Sequence, residues 1–64
     1  MTARERQILD LVARGWDNAQ IGQALYVSPA TIKHHLASVF RKLEVENRVQ
    51  AAVRAVTEEL VDVS

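Results

Sequence analysis

The sequence contains no cysteine, so neither a disulfide framework nor a thiolate metal site can hold it together. It has one proline, two glycines and one each of tryptophan, tyrosine and phenylalanine. So few chain breakers, with 48% hydrophobic and 25% charged residues, exclude a disordered chain and suit a compact helical domain. No apolar run approaches the roughly 18 to 20 residues needed to cross a bilayer, and no signal-peptide core is visible. A soluble, cytoplasmic protein without membrane association is expected. Net charge is also absent, because eight basic residues balance eight acidic ones. The balance is not local. Residues 28 to 43 hold Lys33, Arg41, Lys42 and both histidines with no acid, whereas the tail from Glu58 onward holds Glu58, Glu59 and Asp62 with no base. Binding to a polyanion depends on the local field, so a neutral total still permits it.

At 64 residues the chain can build one domain, 1–64, around one small core. Four helical patterns follow one another and no alternating strand pattern intervenes, so the fold class is all-α. Thr2 and Glu5 form a capping box that starts helix 1, over about 3 to 14, and Gly15 supplies a left-handed stop. Asp17 or Asn18 can cap a short helix 2, over about 18 to 25, with Ile21 and Leu25 facing inward. Gly22 lies inside it, where glycine costs about 1 kcal/mol relative to alanine; close approach of another helix is the expected reason. Tyr26 and Val27 form the turn. Ser28-Pro29 then opens helix 3, over about 29 to 43, with serine as cap and proline where its missing amide costs nothing.

Ile32, Leu36, Val39 and Leu43 place one narrow apolar stripe on helix 3, which predicts the buried face. Ala30, His34, Ala37 and Arg41 then point outward, with Lys33 and Ser38 on the shoulders of that arc. After Glu44-Val45-Glu46, Asn47 caps helix 4, over about 47 to 60. Its expected inward stripe is Val49, Ala52, Val53, Val56 and Leu60, with Ala51 and Ala55 on the opposite side. The acids at its end oppose the helix dipole, so fraying of the last turn and disorder of 62–64 are expected. Glu44 is expected in a left-handed conformation.

A short helix, a tight turn and a longer helix with a basic outer face form the arrangement that lets one helix enter the DNA major groove while its partner braces the backbone. The helix-turn-helix spans about 18 to 43. The residues carrying it are Thr2-Ala3-Arg4-Glu5-Arg6, Asn18 to Gly22, Ser28 to Leu36, Phe40-Arg41-Lys42-Leu43 and Asn47-Arg48. In that order and spacing the chain resembles, over nearly all its length, the LuxR-type (NarL- or GerE-like) DNA-binding domain of bacterial transcription regulators. The resemblance implies a recognition role for helix 3, with Lys33, His34 and Ala37 at base-reading positions. It implies backbone contact at or near Thr31, Arg41, Lys42 and Arg48, and Ser28 and Asn18 complete the expected DNA-contact set. It also implies double-stranded DNA as partner, a dimerisation helix in helix 4, a role toward RNA polymerase, and an N-terminal receiver or sensor domain in the intact regulator. Three positions depart from the pattern: Ala19-Gln20 replaces a charged pair, Glu44 replaces glycine, and Ala37 replaces a polar reader. The Ala37 methyl can still meet a thymine methyl.

A weak homodimer through Ala51 and Ala55, flanked by Arg48 and Glu58, is the expected mode of pairing. Glu5 is expected to tie helix 1 to helix 4 through Arg48. His34 and His35 diverge by roughly 100° on the helix with no further ligand within a turn, so no metal site is expected. No nucleophile, phosphate loop or carboxylate pair can be assembled, so neither an enzyme nor a cofactor is expected. Two other readings compete: the promoter-reading fourth region of a sigma factor, which needs no helix 4, and a helical protein-interaction module that does not touch DNA.

Overall fold

Each helix starts at a side chain that satisfies the free amides of its first turn. The computed structural model describes residues 1–58, with helices α1 (Ala3–Ala13), α2 (Asn18–Leu25), α3 (Pro29–Leu43) and α4 (Arg48–Thr57). Among the described residues there is no strand, and the fold is all-α. Thr2 and Glu5 exchange hydrogen bonds of 3.1 and 2.8 Å in the first capping box. At α2 the cap is Asp17, whose carboxylate accepts from the Gln20 amide while the Gln20 side chain accepts from the Asp17 amide, at 2.8 and 2.9 Å. Ser28 accepts from the Thr31 amide at 3.1 Å, and Asn47 from the Gln50 amide at 2.9 Å. Removing one such cap typically costs about 1 kcal/mol.

The helix ends are less uniform. Gly15 takes a φ of 89° after α1, where a left-handed residue suits glycine. Tyr26 and Glu44 end α2 and α3 at φ 61° and 58°, and for residues with a Cβ this conformation carries strain of about 1 kcal/mol or more. Between α2 and α3 the turn folds back tightly. A Cβ on Gly22 would stand 2.5 Å from the Val27 carbonyl oxygen. Close approach is therefore the reason for glycine here, but the approaching group is the backbone of the turn rather than a second helix.

Helix α3 threads both parts of the core. Ile32 and Leu36 join Ile8, Val12 and Ile21 in one cluster, while Val39 and Leu43 join Leu9, Ala51 and Ala55 in the other. All four residues of the α3 stripe are buried. Adjacent Ile8 and Leu9 let α1 serve both clusters, and Phe40 packs against each.

Helix α4 is turned the other way from the sequence expectation. Ala51 and Ala55 are fully buried, whereas Val49, Val53 and Val56 are 72%, 58% and 46% exposed. Of the expected stripe only Ala52 packs inward, half-buried against the first cluster; Leu60, with the expected frayed end at 59–64, lies outside the described residues. Size decides this. Leu9, Val39 and Leu43 already fill the space facing α4, and a methyl group is what remains to be accommodated at each of two positions one turn apart. The C-terminal end of α3 is closed from α4 as well, because the Arg54 guanidinium donates to the Leu43 carbonyl at 2.9 Å.

Candidate nucleic-acid interface

The packing of α3 leaves one side of it in solvent. Ala30, Lys33, His34, Ala37 and Arg41 are all exposed, and no acidic residue occurs from Ser28 to Leu43. Neither Lys33 nor Arg41 has a side-chain partner among the described residues. At the N-terminus of α3, Ser28 bonds both the Thr31 amide and the Thr31 hydroxyl, the latter at 3.0 Å, so this pair is held in one arrangement. His34 is exposed, whereas His35 is half-buried, and their rings meet edge-on with centroids 6.4 Å apart. Among the described residues no group of three His, Asp or Glu side chains is placed to hold a metal ion.

Two of the expected backbone contacts are engaged inside the protein. Lys42 Nζ donates to both oxygens of the Glu5 carboxylate, at 2.7 and 3.0 Å. Ser38 Oγ donates to Glu5 Oε2 at 2.8 Å, and the Thr2 amide completes the set on Oε1. The Glu5 side chain is 5% exposed. Hydrogen bonds from Lys42 first, then from the Thr2 backbone and Ser38, outweigh the desolvation and hold its carboxyl at about 2, well below the usual 4.5. Glu5 thus ties α1 to α3, not to α4. The expected Glu5–Arg48 pair does not form because Arg48 turns the other way, donating to the Asn18 side-chain oxygen and to the Trp16 carbonyl. That places Arg48 and Asn18 together as a brace between the starts of α4 and α2.

The expected pairing surface needs a larger correction. Ala51 and Ala55 have no exposed surface, so they cannot meet a second molecule; they belong to the core. Arg48 is committed to α2. Glu58 does sit on the outer side of α4, ion-paired with Arg54 at 3.1 Å, on the rim of an open groove that Val45, Val49 and Val53 line. The inward placing of Val49, Val53 and Val56 rests on their hydrophobicity alone. Counting the large neighbours available to fill the facing space is the signal that could have found them.

Comparison with known proteins agrees with this architecture. The structure of the transcription factor GerE superposes with a TM-score of 0.88 over 100% of this chain and 96% of that one, at 28% identity. YhjB of Escherichia coli K12 is 51% identical over 53 residues, which is 83% of this chain and 26% of that protein. The transcriptional regulatory protein LiaR of Bacillus subtilis is 42% identical over 62 residues, 97% of this chain and 29% of its own length. The chain therefore spans about a quarter of the length of these curated relatives. The family of bacterial regulatory proteins designated luxR, or GerE, matches residues 1–55. Four capped helices, a glycine-locked turn and a basic outer face on the third belong here to a member of the luxR family of bacterial regulatory proteins.

Proposed function

We propose that residues 1–64 form the DNA-binding effector domain of a bacterial transcription regulator, with α3 in the major groove of double-stranded DNA. The carrying observation is the outer face of α3, exposed and free of acids, with Lys33 and Arg41 unpaired among the described residues. Lys33, His34 and Ala37 read base edges in this arrangement, while Ser28, Thr31 and Arg41 meet the sugar-phosphate backbone. The luxR membership and the relatives' names as transcriptional regulators support the same reading. A cytoplasmic location, contact with RNA polymerase and a signal-receiving domain in the intact regulator follow as parts of it; a relative named as a response regulator supports the last.

The test is a selection of duplexes from a random pool, followed by fluorescence anisotropy between low and moderate salt. A selected operator should bind with an affinity that falls as salt rises. Lys33→Ala should weaken that binding by about 1 to 3 kcal/mol with an unchanged helical spectrum. No salt-dependent binding to any duplex would overturn the reading in favour of a helical protein-interaction module.

Pairing is the second element, and its carrying observation is the valine strip of α4. Val49 and Val53 expose apolar surface beside Val45 on a helix already anchored by its other side. Two copies pair weakly through these valines, since one short helix face falls well below the roughly 1,200 Å² of a stable interface. Two adjacent half-sites raise the effective concentration and turn the weak contact into cooperativity. Val53→Glu should abolish cooperative binding to paired half-sites and leave single-half-site affinity intact. Equal cooperativity in both proteins would exclude α4 from pairing.

A further inference from the structure

Resting on the DNA-binding reading, we infer that Lys42 is a positioning residue whose charge is committed to the buried Glu5 carboxylate, and that it does not neutralise a DNA phosphate. Lys42 lies in the last turn of α3, beside Arg41, and sequence order alone makes the two equivalent cations of one basic pair. Their surroundings separate them. Lys42 Nζ lies 2.7 Å from one oxygen of a carboxylate that is almost wholly removed from solvent. Both side chains are exposed, that of Lys42 by 45%, but Arg41 has no side-chain partner among the described residues.

The carboxylate is fully committed. Oε1 accepts from the Thr2 amide and Lys42, and Oε2 from Ser38 and Lys42. Lys42 is the one cation in that set. Moving its ammonium onto a phosphate would leave a buried negative charge with two neutral donors, a state that proteins avoid strongly. A phosphate would also have to approach within a few ångströms of Glu5 and be repelled by it. Arg41 and Lys33 give up nothing when they meet DNA.

Ser38 and Lys42 are four residues apart and therefore share one flank of α3. Glu5 grips both, so the start of α1 fixes the rotation of the recognition helix about its own axis. That rotation decides which side chains the groove receives. The pair is thus equivalent to a setting screw for Lys33, His34 and Ala37.

Salt dependence separates positioning from contact. Each phosphate neutralised by a protein cation adds about 0.9 to the slope of log affinity against log salt. Arg41→Met, at a backbone-facing position, should make the slope shallower by roughly that amount. Lys42→Met should lower operator affinity several-fold at every salt concentration while leaving the slope at its wild-type value. The double variant Glu5→Gln with Lys42→Met removes the buried charge together with its cation, and should recover most of the lost affinity, again with the wild-type slope. Should Lys42→Met fail to fold, the double variant carries the slope comparison. A slope shallower by about 0.9 in either protein would make Lys42 a phosphate ligand and overturn the inference. Unchanged affinity in a folded Lys42→Met would overturn the positioning role. Wild-type protein without salt-dependent duplex binding would instead defeat the DNA-binding reading itself.

Discussion

Helices α3 and α4 are both amphipathic, yet they sort their residues by opposite rules. In α3 the largest aliphatic side chains, Ile32, Leu36, Val39 and Leu43, are buried and Lys33, His34, Arg41 and Lys42 are exposed. In α4 the smallest residues, Ala51 and Ala55, are buried and three valines face solvent. Helix α3 lies between α1, α2 and α4 and must supply bulk to both clusters. Helix α4 arrives at a surface already furnished by Leu9, Val39 and Leu43. Burial in α4 is therefore selected by fit at close approach, not by hydrophobicity, and the surplus hydrophobicity is left available to another surface.

Substitutions on the two helices test this contrast, and the widest separation should come from one added carboxylate. Ala51→Glu should cost about 3 kcal/mol or more, enough to abolish cooperative unfolding in a domain of this size, because the charge enters an apolar cluster without a partner. Val53→Glu, half a turn on, should melt within about 0.5 kcal/mol of wild type. Circular dichroism melts of both would decide, and a stable Ala51→Glu would mean that α4 is rotated from the position described. Val39→Ala on α3 should cost roughly 2 kcal/mol, whereas Val49→Ala on α4 should be neutral or gain a few tenths, since alanine is the better helix former and little burial is lost. Chemical denaturation of the pair measures both, and a loss at residue 49 equal to that at 39 would erase the distinction between the helices. The smallest effect lies in the joint between them. Glu44→Gly should stabilise by up to about 1 kcal/mol, because φ is 58° there and glycine relieves the strain of a Cβ, less the added freedom of the unfolded chain. A lower melting temperature for this variant would show that the side chain makes a compensating contact.

The same contrast explains what could be read in the sequence. Large aliphatics at i, i+4, i+7 and i+11 against polar residues give α3 a face that periodicity detects, and the capping residues Thr2, Ser28 and Asn47 are recognisable because each has one job at one place. For α4 the two candidate faces are both apolar, so periodicity finds a helix but cannot choose between valine and alanine. That choice depends on what the other helices leave unfilled, a three-dimensional quantity. Glu5 presents the same difficulty. A capping box is visible, and so is a supply of cations, but the partner expected for Glu5 is Arg48 and the one it takes is Lys42. Only the lie of α1 across α3 brings one to it and sends the other to Asn18 and Trp16. The face of α3 is legible as exposed and basic, and the division of its cations into those paired within the protein and those left unpaired is not.

The positions that α3 buries, 32, 36, 39 and 43, share no member with those it exposes, 29, 30, 33, 34, 37, 41 and 42. Heritable change can therefore act on one set without consulting the other. With 33, 34 and 37 as the base-reading positions proposed above, a duplicated copy of this domain acquires a new operator through substitutions there while its folding free energy stays nearly constant, since exposed positions typically shift stability by no more than about 0.5 kcal/mol. Divergence of binding preference need not pass through unstable intermediates. A scaffold so divided can be copied many times in one genome, with each copy free to drift toward its own address.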